Sequence, residues 1–236
     1  MKPDGSLSSR PIHPSTHPPI HPSIHPPQVV SPYRNNAVKT TNRSASSTRA
    51  RKGNKVFAIV FAVIWGVITG VLWAYANPIQ LVPGIIQWRI FAFLPPVIGI
   101  LFGPISGFVS GYLGSVVWSL LAGTFIPAHT LIIDGIMVGA TGLVPAITTG
   151  RKFTLDQLAT DSRAMVHSVM TSGVITIVMV FAVCASLAFL GIFPFWWAVL
   201  WIGLSDIVPV LIGTPIVMRY GAKVLQSATW LPTERI

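Results

Sequence analysis

The stretch NKVFAIVFAVIWGVITGVLWAYANP, residues 54–78, decides whether this chain folds in water or in a lipid bilayer. Its residues 56–76 include no charged side chain, and at about 1.5 Å of rise per residue they are long enough to cross the roughly 30 Å hydrocarbon layer of a bilayer. The stretch therefore predicts a transmembrane helix. Small residues recur along it at every fourth position: Ala58, Ala62, Gly66, Gly70 and Ala74.

Composition places the whole chain in the membrane class. Of its 236 residues, 52% are hydrophobic and only 9% are charged, whereas a soluble domain carries charge on about a quarter of its residues. The apolar residues form six long runs separated by short breaks. We therefore predict an all-α integral membrane bundle of six transmembrane helices. The predicted spans are 56–76, 86–102, 104–123, 129–149, 165–190 and 195–218.

Most of the basic charge belongs to an N-terminal tail. Residues 1–55 hold nine Lys and Arg against the single acid Asp4, within a formal net charge of +10 for the chain. The membrane body is nearly neutral, so the charge does not indicate a nucleic-acid partner. Because the tail is rich in Pro and polar residues, it has nothing from which to build a core. We predict a disordered cytoplasmic tail over 1–55, a membrane domain over 56–220 and a short cytoplasmic segment over 221–236.

Four histidines of the tail alternate with prolines in a period of four: His13, His17, His21 and His25. Polyproline II has three residues per turn, so this period spirals the imidazoles around the axis and disfavours a metal site. A start of translation further downstream is an alternative that the sequence leaves open.

The distribution of Lys and Arg predicts the orientation. Cytoplasmic loops of membrane proteins are enriched in these residues, and the loop 150–164 and the C-terminal segment carry them here, whereas the opposite loops hold at most Arg89. Both termini are therefore expected in the cytoplasm, with the protein in the plasma membrane. Because residues 1–55 have no apolar core of a signal peptide, the first helix is expected to serve as its own targeting signal.

Lines of small residues allow close helix packing, which matters in lipid because burying apolar surface there gains little. The third span has such a line at Gly103, Gly107, Gly111 and Gly114. Packing within this chain is one explanation of both lines, and it is favoured for the line of the third span. For the first span, docking onto another membrane subunit is an equal alternative.

The run RIFAFLPPVIGILFGPISGFVSGYLGSVVWSLLAG, residues 89–123, resembles the second and third helices of the substrate-binding S components of energy-coupling factor (ECF) transporters. Those proteins have an apolar helix ending in a Gly-Pro break, followed by a glycine-rich helix. Ala58 and Ala62 are similar to the Ala-x-x-x-Ala motif through which S components dock. The resemblance covers about 56–220, and it departs from the family at Ser115, where an acid is frequent.

The resemblance implies a transport subunit and not an enzyme. The chain would bind a vitamin-like compound from outside, without a cofactor or metal of its own. Ala58, Ala62 and Gly66 would dock onto a transmembrane coupling subunit that works with two cytoplasmic ATPases. The sequence has no Gly-x-x-x-x-Gly-Lys-Ser/Thr phosphate-binding loop, so ATP hydrolysis is expected in those partners.

Ionisable side chains inside membrane spans are costly and therefore mark candidate sites. Aromatic and amide residues near the predicted outer ends are candidates for stacking on a flat ring and for hydrogen bonding. The predicted substrate-binding residues are Arg89, Asp134, Asp206, Asn77, Gln80, Gln87, Trp88, Trp118, His129 and Trp196. The alternatives are an ion pair that only locks the bundle, and an aromatic belt at the membrane interface. The apolar loop over 77–88 is a candidate lid.

Other functions remain open at this stage. A serine-type intramembrane enzyme needs Ser and His at matched depth. Ser106 and Ser110 lie on the glycine-rich helix, but His129 is predicted outside and His167 inside, so no such pair is visible. Asp134 and Asp206 formally suit an aspartyl enzyme, without a supporting signature. A structural or sensory membrane protein and a self-sufficient secondary transporter are further alternatives. The sequence does not choose among riboflavin-, thiamin- and other vitamin-like substrates, or between a dedicated and a shared ATPase module.

Overall fold

The computed structural model describes residues 56, 59–76, 79–82 and 86–227. The predictions for the tail over 1–55 and for Ala58 and Asn77 fall outside these residues. The described part is mostly helical. Its helices are α1 (Ile59–Tyr75), α2 (Leu94–Phe102), α3 (Pro104–Leu121), α4 (Gly135–Pro145), α5 (Leu155–Thr160), α6 (Ser162–Phe189) and α7 (Phe195–Ser227).

Two strands form a small hairpin between α1 and α2. Strand β1 (Gln80–Val82) pairs antiparallel with β2 (Ile86–Gln87), with Gln80 opposite Gln87. This hairpin occupies part of the segment that the sequence analysis proposed as a lid. It lies beside α7, because the Ser205 hydroxyl donates to the Gln87 carbonyl at 3.0 Å.

Four helical segments of the described part are long and apolar enough to cross a membrane: α3, the continuous span His129–Gly150, α6 and α7. They indicate a membrane-embedded protein. The predicted count of six is not confirmed, because α1 is shorter and α2 has only nine residues, about 14 Å of helix. Residues 86–93, predicted as the start of the second span, instead form β2 and turns, and α2 begins just before Pro95.

The predicted break between the second and third helices is confirmed at Gly103. Its φ of 111° ends α2, and Pro104 opens α3 as the first helical residue, a position where proline loses no hydrogen bond. Two other boundaries differ from the prediction. Helix α5 lies within the predicted loop 150–164, where a Thr154–Gln157 capping box starts it. Helix α7 runs on to Ser227, past residue 218, where the predicted sixth span ends.

Glycines bring α2, α3 and α4 together backbone to backbone. A Cβ added to Gly107 of α3 would lie 2.5 Å from the Cα of Gly99 on α2 and 2.6 Å from the carbonyl oxygen of Gly142 on α4. One turn further along α3, a Cβ on Gly111 would lie 2.5 Å from the carbonyl oxygen of Val138. The glycine line of the third span is therefore used for packing within the chain.

The line of small residues on α1 faces α3. Ala62 is fully buried, and Cβ atoms added to Gly66 and Gly70 would lie 2.7 Å and 2.6 Å from the Cβ atoms of Leu113 and Val117. The structure therefore favours the intrachain alternative for this line. A partner that docked at Ala62 and Gly66 would first have to separate α1 from α3.

Enlarging Gly66 is expected to weaken the contact between α1 and α3. The variant Gly66→Leu should lower the free energy of unfolding by about 1–3 kcal/mol, the usual cost of overpacking, because Leu113 and the α3 backbone block the new side chain. The measurement is equilibrium unfolding in detergent micelles. The matched control is Val67→Leu, at an exposed position of the same helix. Equal stability of the two variants would contradict the packing described here.

Candidate functional site

A cavity of about 480 Å³ lies between the hairpin, α3, the segment before α4, α6 and α7. Small-molecule sites commonly enclose roughly 300–1,000 Å³, so a small organic compound fits. The cavity combines charged and polar groups with a large apolar wall. Its lining residues are Ile86, Gln87, Arg89, Trp118, Ser119, Gly123, Thr124, Phe125, Ile126, His129, Thr130, Asp134, Met179, Val183, Leu187, Ile192, Phe193, Ile202, Ser205 and Asp206.

Arg89 and α7 form the first polar wall of the cavity. The Arg89 backbone N–H donates to the Ser205 hydroxyl at 3.2 Å, which places the arginine directly after the hairpin against α7. Its Nη1 lies 3.5 Å from Oδ2 of Asp206, and the two side chains are only 14% and 2% exposed. The two charges are therefore paired across 117 residues of sequence.

The Arg89 guanidinium also lies against two indole rings. Its Cζ is 4.0 Å from the ring centroid of Trp118 and 5.5 Å from that of Trp73. Both distances are within the roughly 6 Å range of cation–π attraction. The ion pair and the two rings together fix the arginine at the wall of the cavity.

The second polar wall is the π-helical segment His129–Asp134, which leads into α4. The wider i→i+5 turn of a π-helix gathers His129, Thr130 and Asp134 on the buried side. The Ser115 hydroxyl of α3 donates to Asp134 Oδ2. Thr130 Oγ1 accepts from the N–H of Ile126 at 3.2 Å. Proteins frequently place such segments at functional sites.

His129 contacts Ser186 of α6, with 2.5 Å between Nδ1 and Oγ. This Ser–His pair was not predicted from the sequence, because the two residues are 57 positions apart. Ser186 does not line the cavity. The contact therefore orients the imidazole and does not present the serine hydroxyl to a bound compound.

The remaining wall is apolar and comes mainly from α6 and the residues that follow it. Met179, Val183 and Leu187 lie along α6, and they belong to a buried cluster that also includes Trp73 and Cys184. Their spacing of four residues places them on one helix face. This wall suits a ring or a short aliphatic chain.

Six of the predicted site residues line the cavity together: Arg89, Asp134, Asp206, Gln87, Trp118 and His129. Three others do not line it. Gln80 is an exposed residue of β1, and Trp196 is 72% exposed. Trp88 is partly buried and follows the lining residue Gln87, but it is not itself in contact with the cavity. The exposure of the Trp196 side chain agrees with the alternative that the outer aromatic residues form a belt at the membrane interface.

Several polar residues of the site were not predicted from the sequence. Ser205 and Thr130 line the cavity, and Ser115 reaches it through Asp134. Ser205 precedes Asp206, and Thr130 follows His129, so adjacency to a predicted residue was the available signal. Ser115 was noted from the sequence only as a departure from the suggested family resemblance, and its hydroxyl contacts a carboxylate here.

Over residues 56, 59–76, 79–82 and 86–227, no group of three or more His, Cys, Asp and Glu side chains is arranged to hold a metal ion. No protein-family model, curated protein or solved structure matches this chain. The geometry of the cavity is therefore the main basis for a function.

Proposed function

We propose that this chain is the substrate-binding membrane subunit of an ECF-type importer, which takes up a vitamin or vitamin precursor. The observation that carries the proposal is the 480 Å³ cavity, in which Arg89, Asp134 and Asp206 meet an apolar wall. Charged groups at membrane depth are costly, and they are kept where they serve a substrate pathway. A purely structural bundle gains nothing from surrounding them with a cavity.

Two polar atoms of the lining residues support binding of a compound. Gln87 Oε1 and Trp118 Nε1 are buried, and neither has a hydrogen-bond partner among the described residues. Such atoms are few in folded proteins, because each forfeits about 1–3 kcal/mol of solvation. Both atoms are covered by protein here, so each would reach a bound ring compound only after its side chain moves.

The stretch that resembles S components contributes directly to this cavity. Arg89, Trp118 and Ser119 lie within residues 89–123, and all three line it. The resemblance and the cavity thus rest on the same part of the chain, and together they favour an S component over a bundle without a substrate.

The proposed orientation has both termini in the cytoplasm and the cavity open to the outside. Leu155 and Leu158 of α5 pack in one cluster with Met218 and Ala222 of α7, so the basic residues beside these elements lie at one end of the bundle. Those residues are Arg151, Lys152, Arg163, Arg219 and Lys223. A single basic end supports that orientation.

The proposed partners are a transmembrane coupling subunit and two cytoplasmic ATPases. Docking at Ala58, Ala62 and Gly66 stays a prediction; in this structure Ala62 is fully buried and Gly66 lies against α3. The opposite face of α1, with Val60, Ile64 and Val71, is exposed and is the surface that a partner reaches without rearrangement.

The test is to purify the protein in detergent, denature it, and identify the released small molecules by mass spectrometry. We expect one vitamin-like compound near equal stoichiometry with the chain. The matched control is a Met179→Trp variant, which fills the cavity from its apolar wall and should carry much less of the compound. Absence of any compound after growth in vitamin-rich medium would contradict the proposal and favour a structural or sensory protein.

A further inference from the structure

The cavity contains three formally charged side chains, and two of them are already paired. Arg89 contacts Asp206 and the face of Trp118. A bound anion would have to compete with Asp206 for the guanidinium, and it would enter a site that holds two carboxylates. The structure therefore does not present Arg89 as a free anion receptor.

Asp134 is the charge that remains. It is buried at the second polar wall, and its contact is the neutral hydroxyl of Ser115. In the part of the chain that the structure describes, Arg89–Asp206 is the one ion pair, so Asp134 has no cationic Lys or Arg partner. The nearby titratable groups are His129, whose Nδ1 is engaged by Ser186, and the Asp206 carboxyl, which interacts with Asp134 electrostatically. With a neutral imidazole, the cavity has a formal charge of −1.

We propose that the bound compound is an organic monocation whose positive nitrogen lies against Asp134. This inference rests on the proposed function, and it names the substrate class for the same cavity. A buried carboxylate without a counter-charge is costly in a low-dielectric interior, and a protonated amine or a cationic nitrogen ring removes that cost on binding.

The apolar wall defines the rest of the compound. Met179, Val183 and Leu187 leave no polar group on the α6 side of the cavity, so the part of the compound away from Asp134 is expected to be a ring or a short hydrocarbon chain. The class is thus a small amphipathic cation and excludes polyanions such as nucleotides.

The experiment compares the full-length wild type with Asp134→Asn and Asp156→Asn, each purified from the same medium and analysed by mass spectrometry after denaturation. Both variants remove one acid, but Asp156 is exposed on α5 and outside the cavity. We expect the wild type and Asp156→Asn to release a compound that is positively charged at pH 7, near equal stoichiometry. Asp134→Asn, which keeps a partner for Ser115, should release at least about tenfold less.

The outcomes separate this inference from the proposed function. A stoichiometric compound that is neutral or anionic would support substrate binding but overturn the inference that the compound is a cation. The charge of the Asp134 carboxylate would then be neutralised by a bound proton or by a protonated His129. Equal occupancy in Asp134→Asn would also overturn it. If Asp134→Asn does not fold, the charge of the compound released by the wild type still decides. No compound in the wild type would overturn the proposed function and, with it, this inference.

Discussion

Replacing Arg89 with methionine is expected to lower the free energy of unfolding by about 3–5 kcal/mol, the cost of removing one partner of a buried ion pair. The variant leaves Asp206, which is 2% exposed, without its counter-charge, and it removes the cation from between Trp73 and Trp118. The backbone hydrogen bond from residue 89 to Ser205 does not depend on the side chain. The measurement is equilibrium unfolding in mixed micelles, followed by tryptophan fluorescence.

The double variant Arg89→Met/Asp206→Leu separates the ion pair from the packing of the arginine. Apolar replacement of both charges of a buried pair is often neutral or stabilising, so the double variant should recover most of the stability lost by Arg89→Met alone. It should still bind less of the native compound, because both side chains line the cavity. A double variant that is as unstable as the single one would show that the charge pair is not the reason for the loss.

Replacing Gly142 with alanine is expected to be among the most destabilising additions of a single methyl group in the part of the chain that the structure describes. The new Cβ would lie 2.5 Å from the carbonyl carbon of Gly107 and 2.8 Å from its Cα. Both atoms belong to the backbone of α3, so neither can move without shifting the helix. We expect a loss of more than about 3 kcal/mol, above the usual range for overpacking, with poor recovery of folded protein in detergent.

The matched control for Gly142→Ala is Gly203→Ala on α7. A Cβ there would meet its nearest neighbours, side-chain atoms of Ile207 and Val180, at 3.6 Å, an ordinary contact distance. Alanine also favours a helix over glycine by about 1 kcal/mol. Gly203→Ala should therefore be as stable as the wild type or slightly more so. If both glycine variants fold equally well, the close approach of α3 and α4 is contradicted.

The sequence predicted the long helices well, because length and hydropathy alone determine them in a membrane. The predicted spans 129–149 and 165–190 lie within a few residues of His129–Gly150 and Ser162–Phe189. The second span was predicted less well. Its apolar run includes β2 and the turn before Pro95, and hydropathy does not distinguish an apolar hairpin from an apolar helix.

The sequence also identified Arg89, Asp134 and Asp206 as candidate site residues, since charge within apolar spans is visible without any coordinates. Their pairing was not visible. Either acid was a possible ion-pair partner for Arg89. Only the tertiary structure decided that Arg89 pairs with Asp206 and that Asp134 contacts Ser115.

By itself, the sequence indicated that the chain lies in a lipid bilayer and where its long helices are. It also identified the few polar residues that are costly to place in a membrane. The tertiary structure decided which of those residues share a cavity, which charge is left without a partner, and that the small residues of α1 face α3. The physical reason is that burial in lipid is a property of each segment, whereas pairing and close packing depend on contacts between residues far apart in the chain.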